Sequence, residues 1–378
     1  MPVPHNWRVF KPAVIIFSGA LLFLAGCATA PTDNSEPPPP EWTATNAVAP
    51  PPAFRPIPRI QPGVKTNLPP VICTNPPPPT IARPAPILTW TSLDRWAVGQ
   101  KLIAPRRLGN SPVTAYAIAS RNGTMILEIG SRDATWNGVG LHLGFAPEII
   151  DDQVFVHGLD LQKNLEPLLL GEPLAFGPSR VIVLDPGHGG LKGGTLSILD
   201  RRPEKEFTLD WARRLKPLLE TNGWTVFLTR TNDTDIALTN RVSFAEARHA
   251  DVFISLHFNS AAPDKKQSGL ETYCLTPTGM PSTLTRGYTD FWQEHFANNA
   301  FDLDNLRLAL RLHRALLRAG GEEDRGVRRA RFMDVLHGQH RPAVLIEGGF
   351  LSNPQEAEKI ESAAFRQKLA EAIANALK

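Results

Sequence analysis

Hydrophobic runs alternate with amphipathic stretches over the second half of the chain. The runs that predict strands occupy residues 181–185, 224–230, 251–259, 270–275 and 342–350. Each has the length of a strand, whereas the stretches between several of them repeat apolar positions every three or four residues. This alternation is typical of an α/β domain with a mixed, largely parallel sheet flanked by helices on both faces. We therefore predict one such domain over residues 179–378.

The predicted helices carry start and stop signals of their own. After the first strand, apolar positions recur at helical spacing up to Gly223, a residue typical of helix ends, although Pro217 is expected to kink or shorten that helix. Two further helices are predicted over residues 241–250 and 304–319. The last helix is expected to begin with Asn353 as its N-cap, with Glu356 placed for a capping box.

A different pattern precedes the α/β domain. Strand-like pieces at 114–118 and 124–129 predict a smaller, mostly β or α+β domain over residues 87–173. The run at 141–169 resembles the repeat unit of the copper amine oxidase N-terminal-like domain, an accessory module of exported wall proteins. That name implies neither copper nor oxidase activity here, and we expect His142 and His157 to be structural residues rather than metal ligands.

Composition changes the picture of the segment that comes before this domain. About half of the 36 prolines lie between Pro31 and Pro86, where hydrophobic periodicity is missing. A segment without a core to bury cannot offset its ordering entropy, so residues 27–86 are predicted to form a disordered, proline-rich tether. At about 3.1 Å per residue, such a tether reaches on the order of 150 Å when fully stretched.

Residues 1–26 resemble a bacterial lipoprotein signal peptide. Arg8 and Lys11 precede an apolar core at 13–25 that is short for a membrane span, and the core ends in Leu-Ala-Gly-Cys. The resemblance implies cleavage before Cys27, lipidation of the Cys27 thiol and, since Ala28 follows, export to the periplasmic face of the outer membrane. The alternative is an ordinary cleaved signal that contains a cysteine by chance.

The charge of the chain narrows the range of partners only slightly. A formal net charge of +3 is too small to argue for nucleic acid, and we expect no nucleic-acid partner. Arginines do gather late in the chain, either as a solvated helix face with loop ion pairs or as a surface for an anionic polymer. They are Arg307, Arg311, Arg314, Arg318, Arg325, Arg328, Arg329 and Arg331.

Titratable side chains stand at the carboxyl ends of several predicted strands. His188 follows the first strand, and His257 closes the third. Glu347 lies near the end of the last strand, and Glu204 stands at the entrance to the first helix. Because ligands bind outside these strand ends in α/β sheets, the four side chains are expected to meet. Two imidazoles and one carboxylate suit zinc and leave a fourth position for water.

The same residues carry a family resemblance. In order along the chain stand DPGHGG, EKE, TR, ISLHFNS, GLETY and PAVLIEGGFLSNP. This series is similar to the zinc-dependent N-acetylmuramoyl-L-alanine amidases, and it extends over about residues 181–377. The resemblance implies that His188, Glu204 and His257 hold Zn²⁺, while Glu347 acts on the bound water and the leaving amine. It also implies peptidoglycan as substrate, cleaved between N-acetylmuramic acid and the L-alanine of the stem peptide.

The sequence leaves several points open. Arg241, Asn259 and Glu271 either brace loops or contact substrate. The connection at 276–304 is longer than a strand-to-helix link needs, and a short amphipathic helix is expected at 289–298. It is either a lid that an unidentified activator protein lifts or a loop that contacts substrate. A non-catalytic wall-binding lipoprotein and a zinc peptidase of another specificity are the alternative functions.

Overall fold

The structure, a computed structural model, describes residues 89–109, 114–287 and 289–378. The predicted signal peptide at 1–26 and tether at 27–86 lie outside the described residues, as does Cys27. Within the described ranges, no helix is both long enough and apolar enough to cross a membrane.

The first described region, up to residue 169, is built mainly of short strands. Its helical elements are α1 (Leu93–Gly99), α2 (Gly158–Asp160), a π-helical turn (Leu161–Leu165) and α3 (Glu166–Leu169). Its strands are β1 (Trp90–Ser92), β2 (Arg106–Leu108), β3 (Ala115–Ser120), β4 (Gly123–Glu128), β5 (Asp133–Trp136), β6 (Val139–His142), β7 (Glu148–Ile150) and β8 (Gln153–His157).

The region from residue 181 onward alternates strands and helices, as predicted. Its strands are β9 (Val181–Pro186), β10 (Thr225–Leu228), β11 (Val252–Asn259), β12 (Leu270–Leu275), β13 (Asp324–Ala330) and β14 (Ala343–Phe350). Its α-helices are α4 (Glu204–Thr221), α5 (Leu238–Ala247), α6 (Asp302–Gly320), α7 (Asp334–His337), α8 (Pro354–Glu361) and α9 (Ala363–Ala376).

A mixed sheet of eleven strands has the order β10-β9-β11-β14-β12-β13-β6-β5-β4-β3-β2, while β1, β8 and β7 form a separate three-stranded sheet. The strands β10, β9, β11 and β14 are mutually parallel, and β12 is antiparallel to β14. The pairs from β2 to β6 are antiparallel. This confirms the predicted mixed sheet, whose parallel strands place their carboxyl ends at one edge.

Helices cover both faces of the sheet, because successive side chains of a buried strand point to opposite sides. Ile182 and Leu184 of β9 join a core with residues of α4, α6 and α9. Val183 between them joins a second core with residues of α5 and α7. The predicted arrangement of helices on both faces is therefore confirmed.

The predicted accessory region and the α/β region contribute strands to the same sheet. Strand β6 pairs with β13 in parallel, with Leu141 opposite Val327. The Gly140 N–H donates to the carboxylate of Asp324 at 2.8 Å, and the Arg314 guanidinium donates to the Trp136 carbonyl at 3.3 Å. Both regions also fall within one compact unit of the chain. The boundaries at 173 and 179 stay a prediction.

The prediction of a helix at 289–298 is wrong. Residues 292–293 form a turn, and only Ala297–Phe301 is helical, as a 3₁₀ segment. The apolar side that was to drive helix formation is not buried, since Phe291 and Trp292 are exposed. The path of the segment follows instead from Asp290, whose carboxylate accepts hydrogen bonds from Arg331 and Ser282.

Two predicted helix signals act differently from expectation. Helix α4 continues past Pro217 to Thr221, so the proline does not stop it. Asn353 caps α8 by accepting hydrogen bonds from the N–H groups of Gln355 and Glu356. The Glu356 carboxylate does not close a capping box, because it accepts from the N–H groups of Gly269 and Phe350 instead, each at 2.6 Å.

Candidate functional site

Three predicted metal ligands meet at the carboxyl ends of the central strands. His188 follows β9, Glu204 is the first residue of α4, and His257 lies in β11. Their ligand atoms all lie within 4.8 Å of one another, and this is the one such group in the part of the chain that the structure describes. Nε2 of His188 lies 3.0 Å from Oε2 of Glu204, and Nδ1 of His257 lies 2.9 Å from Oε1.

The backbone around these ligands leaves room for nothing larger than glycine at two positions. A Cβ atom on Gly187 would lie 2.3 Å from the His257 ring. A Cβ atom on Gly194 would lie 2.5 Å from Oε2 of Glu204 and 2.6 Å from the His188 ring. Gly187 and Gly194 therefore let the backbone approach the two rings closely.

Buried arginines hold the turn that carries His188. The backbone of His188 itself is left-handed, with a φ of 63°. Arg241 forms an ion pair with Asp185 at 2.6 Å and donates to the carbonyls of Pro186 at 3.0 Å and His188 at 2.8 Å. Arg230 donates to the Pro186 and Gly187 carbonyls at 3.0 and 2.8 Å. Arg241 thus braces the turn, one of the two roles that the sequence leaves open.

Glu204 carries the negative charge of the cluster. Burial alone disfavours an ionised carboxylate, but the hydrogen bonds and charges of His188 and His257 lower the pKa of Glu204 to about 2. The N–H groups of Phe258 and Thr195 also donate to it, at 3.0 and 3.1 Å. The His188 side chain is 30% exposed and that of Glu204 only 4%, so solvent reaches the cluster from the His188 side.

Glu347 stands beside this cluster with an unused oxygen. It lies opposite His257 in the parallel pair and opposite Glu271 in the antiparallel pair, just before the register shifts past His257. Oε2 of Glu347 is buried without a hydrogen-bond partner among the described residues. Burial, reinforced by Glu204 and Glu271 and opposed by His257, raises the pKa of Glu347 to about 7. Such a carboxyl group can both take and give a proton near neutrality.

Comparison with known proteins assigns this constellation to a family. The sequence profile of the family described as N-acetylmuramoyl-L-alanine amidase matches residues 182–378. The chain belongs to this amidase family. AmiC of Escherichia coli O6:H1 (strain CFT073) is 32% identical over 243 residues, which are 58% of this chain and 58% of AmiC. The chain thus spans little more than half the length of that relative.

Two further similarities cover the same region. AmiA of Escherichia coli K12 is 32% identical over 219 residues, which are 52% of this chain and 75% of AmiA. The solved catalytic domain of CwlV from Bacillus (Paenibacillus) polymyxa var. colistinus is 30% identical, covers 52% of this chain and 96% of its own, and superposes with a TM-score of 0.43.

The two remaining substrate candidates, Asn259 and Glu271, lie on the Glu347 side of the candidate site. The Asn259 amide donates to Glu271 at 2.9 Å, while its oxygen accepts from Arg286 at 2.8 Å. Glu271 also accepts from Tyr273 at 2.6 Å and Arg325 at 2.8 Å. Burial opposes ionisation of Glu271, but the hydrogen bonds from Tyr273 and Arg325 and the charges of Arg328 and Arg325 lower the pKa of its carboxyl group. Asn259 and Glu271 therefore belong to one polar network.

Sequence reasoning missed four members of this network: Tyr273, Arg286, Arg325 and Arg328. Arg328 lies 3.1 Å from Glu271. The late arginines were noticed as a group, but the structure divides them, since Arg325 and Arg328 belong to β13 and reach the site. The sequence pattern predicts no strand at 324–330, so the place of these two arginines beside β12 could not be predicted. The sequence contains no signal for Arg286 either.

The two histidines expected to be structural lie outside the group formed by His188, Glu204 and His257. Nδ1 of His142 lies 2.8 Å from the Asp133 carboxylate, and Nδ1 of His157 accepts from the Leu159 N–H at 3.2 Å. The His157 ring also stacks on Phe145. These contacts give both rings partners within the N-terminal region.

The first prediction concerns the space beside His257. Replacing Gly187 by alanine forces the His257 ring to move, so we expect zinc affinity to fall about 10- to 100-fold, as for changes that misplace a metal ligand. Zinc affinity is measured by competition with a chromophoric chelator, and circular dichroism checks that the variant is folded. Gly99→Ala is the matched control, because a Cβ atom there meets nothing within 4 Å. A folded Gly187→Ala variant with the parental zinc affinity would contradict the prediction that His257 is a zinc ligand.

Proposed function

We propose that this protein is a zinc-dependent N-acetylmuramoyl-L-alanine amidase acting on peptidoglycan. The bond to be hydrolysed is the amide between the lactyl group of N-acetylmuramic acid and the L-alanine of the stem peptide. The observation that carries this proposal is the convergence of His188, Glu204 and His257 beside the unpartnered Glu347 carboxyl. Membership of the amidase family supports the same reaction.

The residues present fit zinc. Two imidazole nitrogens and one carboxylate are a common set of protein ligands for a catalytic zinc ion, which keeps one position open. The Glu204 carboxylate is ionised at neutral pH, as a metal ligand must be. When bound, zinc lowers the pKa of a coordinated water toward about 7 and polarises the scissile carbonyl.

The chain's own groups supply the proton transfers. Glu347 accepts a proton from the attacking water and then delivers it to the departing nitrogen, so that the amide is replaced by a carboxylic acid and a free amine. A pKa of about 7 suits both transfers. Arg241 and Arg230 keep His188 in place through the carbonyls of the turn, and contact between them and substrate is not part of this proposal.

The second prediction tests the reaction itself. Purified sacculi incubated with the protein are expected to release stem peptides with a free N-terminal L-alanine, and a chelator should stop the release until zinc is restored. Mass spectrometry of the released products identifies the bond. New termini inside the stem peptide would instead indicate a peptidase, and binding without release would indicate a wall-binding protein.

The third prediction concerns Glu347. Glu347→Gln keeps the shape of the side chain but removes the proton acceptor, so we expect at least a roughly 100-fold loss of turnover with zinc content unchanged. Turnover is measured as release of stem peptides, and zinc by elemental analysis. Glu358→Gln, at an exposed position of α8, serves as the matched control. If Glu347→Gln turned over at the parental rate, Glu347 would have no role in proton transfer.

We also propose that the chain is exported and anchored to the periplasmic face of the outer membrane through lipid on Cys27. The motif at 24–27 supports an anchor, and peptidoglycan as substrate requires a location outside the cytoplasmic membrane. An accessory, wall-associated domain at 87–173 fits the same setting. No activator protein is identified by these observations.

The fourth prediction tests the anchor. Mass spectrometry of the mature protein from the membrane fraction is expected to find Cys27 as the first residue, carrying acyl chains. Cys27→Ser is expected to abolish the modification and release the protein into the soluble fraction. An unmodified start at another residue would show that the signal is an ordinary one.

A further inference from the structure

Arg286 brings a positive charge to the edge of the proposed active site. It lies in the connection between β12 and α6, a segment that the proposed reaction leaves without a role. Hydrogen bonds from a buried arginine hold the parts of this connection on both sides of Arg286. The fully buried Arg331 donates to the Asp290 carboxylate at 2.5 Å and to the carbonyls of Pro277 and Met280, each at 2.8 Å.

A second set of contacts closes the base of this loop. The Ser282 N–H and hydroxyl donate to the Asp290 carboxylate at 2.7 and 2.8 Å, which joins the two limbs on either side of Arg286. Leu284 packs against the core on the α5 and α7 face of the sheet. Arg286 therefore projects from a loop whose two ends are held, toward the strand ends that carry the catalytic groups.

The contacts of the Arg286 guanidinium fix its orientation without using all of its N–H groups. It lies over the Phe332 ring at 5.4 Å from the ring centroid, and Nη2 donates to Asn259 at 2.8 Å. The side chain is otherwise exposed, and no carboxylate of the described residues lies within ion-pair distance of it. Asn259 cannot turn away, because its amide is committed to Glu271.

Nearby carboxylates have other partners or stand apart. Glu271 is neutralised by Arg325 at 2.8 Å and by Arg328 at 3.1 Å. Glu347 is close enough to feel the charge of Arg286, yet Oε2 of Glu347 makes no hydrogen bond within the described structure. The remaining N–H groups of Arg286 are thus available beside the group proposed to move the proton. A guanidinium is suited to bind a carboxylate through two parallel hydrogen bonds.

We propose that Arg286 forms a subsite for a free carboxylate of the substrate, on the residue that follows the L-alanine of the stem peptide. This inference rests on the proposed function. An extended residue spans at most about 3.6 Å, so a carboxylate on the second residue lies within roughly 7 Å of the scissile nitrogen. Asn259, which holds Arg286, is two positions after His257 in β11.

The subsite gives the connection at 276–304 a role as a substrate-contacting loop rather than a lid. The His188 side chain stays 30% exposed while Arg286 is bonded to Asn259, so the loop is in contact with the site without closing it. Selection for a carboxylate at this position distinguishes stem peptides that carry a free α-carboxylate from those in which it is amidated.

The fifth prediction uses two muramoyl peptides that differ only at the second residue, which bears an α-carboxylate in one and a carboxamide in the other. The parent protein is expected to cleave the carboxylate form with about tenfold higher kcat/KM, mainly through KM, because charge-assisted hydrogen bonds are the stronger ones. Arg286→Gln should remove the preference, and Arg286→Lys should keep part of it. The ratio of the two substrates within one variant is insensitive to partial unfolding.

Arg318→Gln is the matched control, since Arg318 is an exposed arginine of α6 on the opposite face of the sheet. It should retain the parental preference. Equal cleavage of both peptides by the parent, or a preference that survives Arg286→Gln, would overturn the subsite and leave the proposed function standing. Failure of the zinc-loaded parent to cleave either peptide would instead count against the proposed function, and the subsite would fall with it.

Discussion

A buried carboxylate held between two imidazoles is the constraint on which the site depends. Burying Glu204 alone would be costly, because an ionised group loses its hydration. The two rings and the backbone N–H groups of Phe258 and Thr195 replace that hydration. His257 and Phe258 belong to β11, more than fifty residues along the chain from Glu204, so the carboxylate has all of its partners only when β9, α4 and β11 are assembled.

The turn after β9 shows how the fold keeps one ligand in an unfavourable conformation. A left-handed backbone costs a residue with a side chain about 1–2 kcal/mol, and His188 adopts it. Buried guanidinium groups of Arg230 and Arg241 offset this by bonding to three successive carbonyls, those of Pro186, Gly187 and His188. Asp185 in turn compensates the charge of Arg241. His188 is therefore positioned by the hydrogen bonds of these arginines as much as by the end of β9.

The central part of the fold and the proximity of the four titratable side chains could be predicted, for a physical reason. Parallel strands end at one edge of a sheet, so residues that follow such strands must approach each other, as His257 and Glu347 do in register. The path of residues 289–298 could not be predicted, because the ion pair of Asp290 with the distant Arg331 outweighs the local pattern of Phe291 and Trp292. Arg286 could not be predicted as a residue of the site for the same reason. Its place depends on contacts with Asn259 and Phe332 rather than on spacing in the chain.

The pairing of β6 with β13 has a consequence for solubility. On its other side β13 is bonded to β12, so β6 is the neighbour that completes its hydrogen bonding at Val327. A strand left with one open side is a template for any extended chain that meets it. The N-terminal strands thus shield the edge of β13 from pairing with an extended segment of another chain.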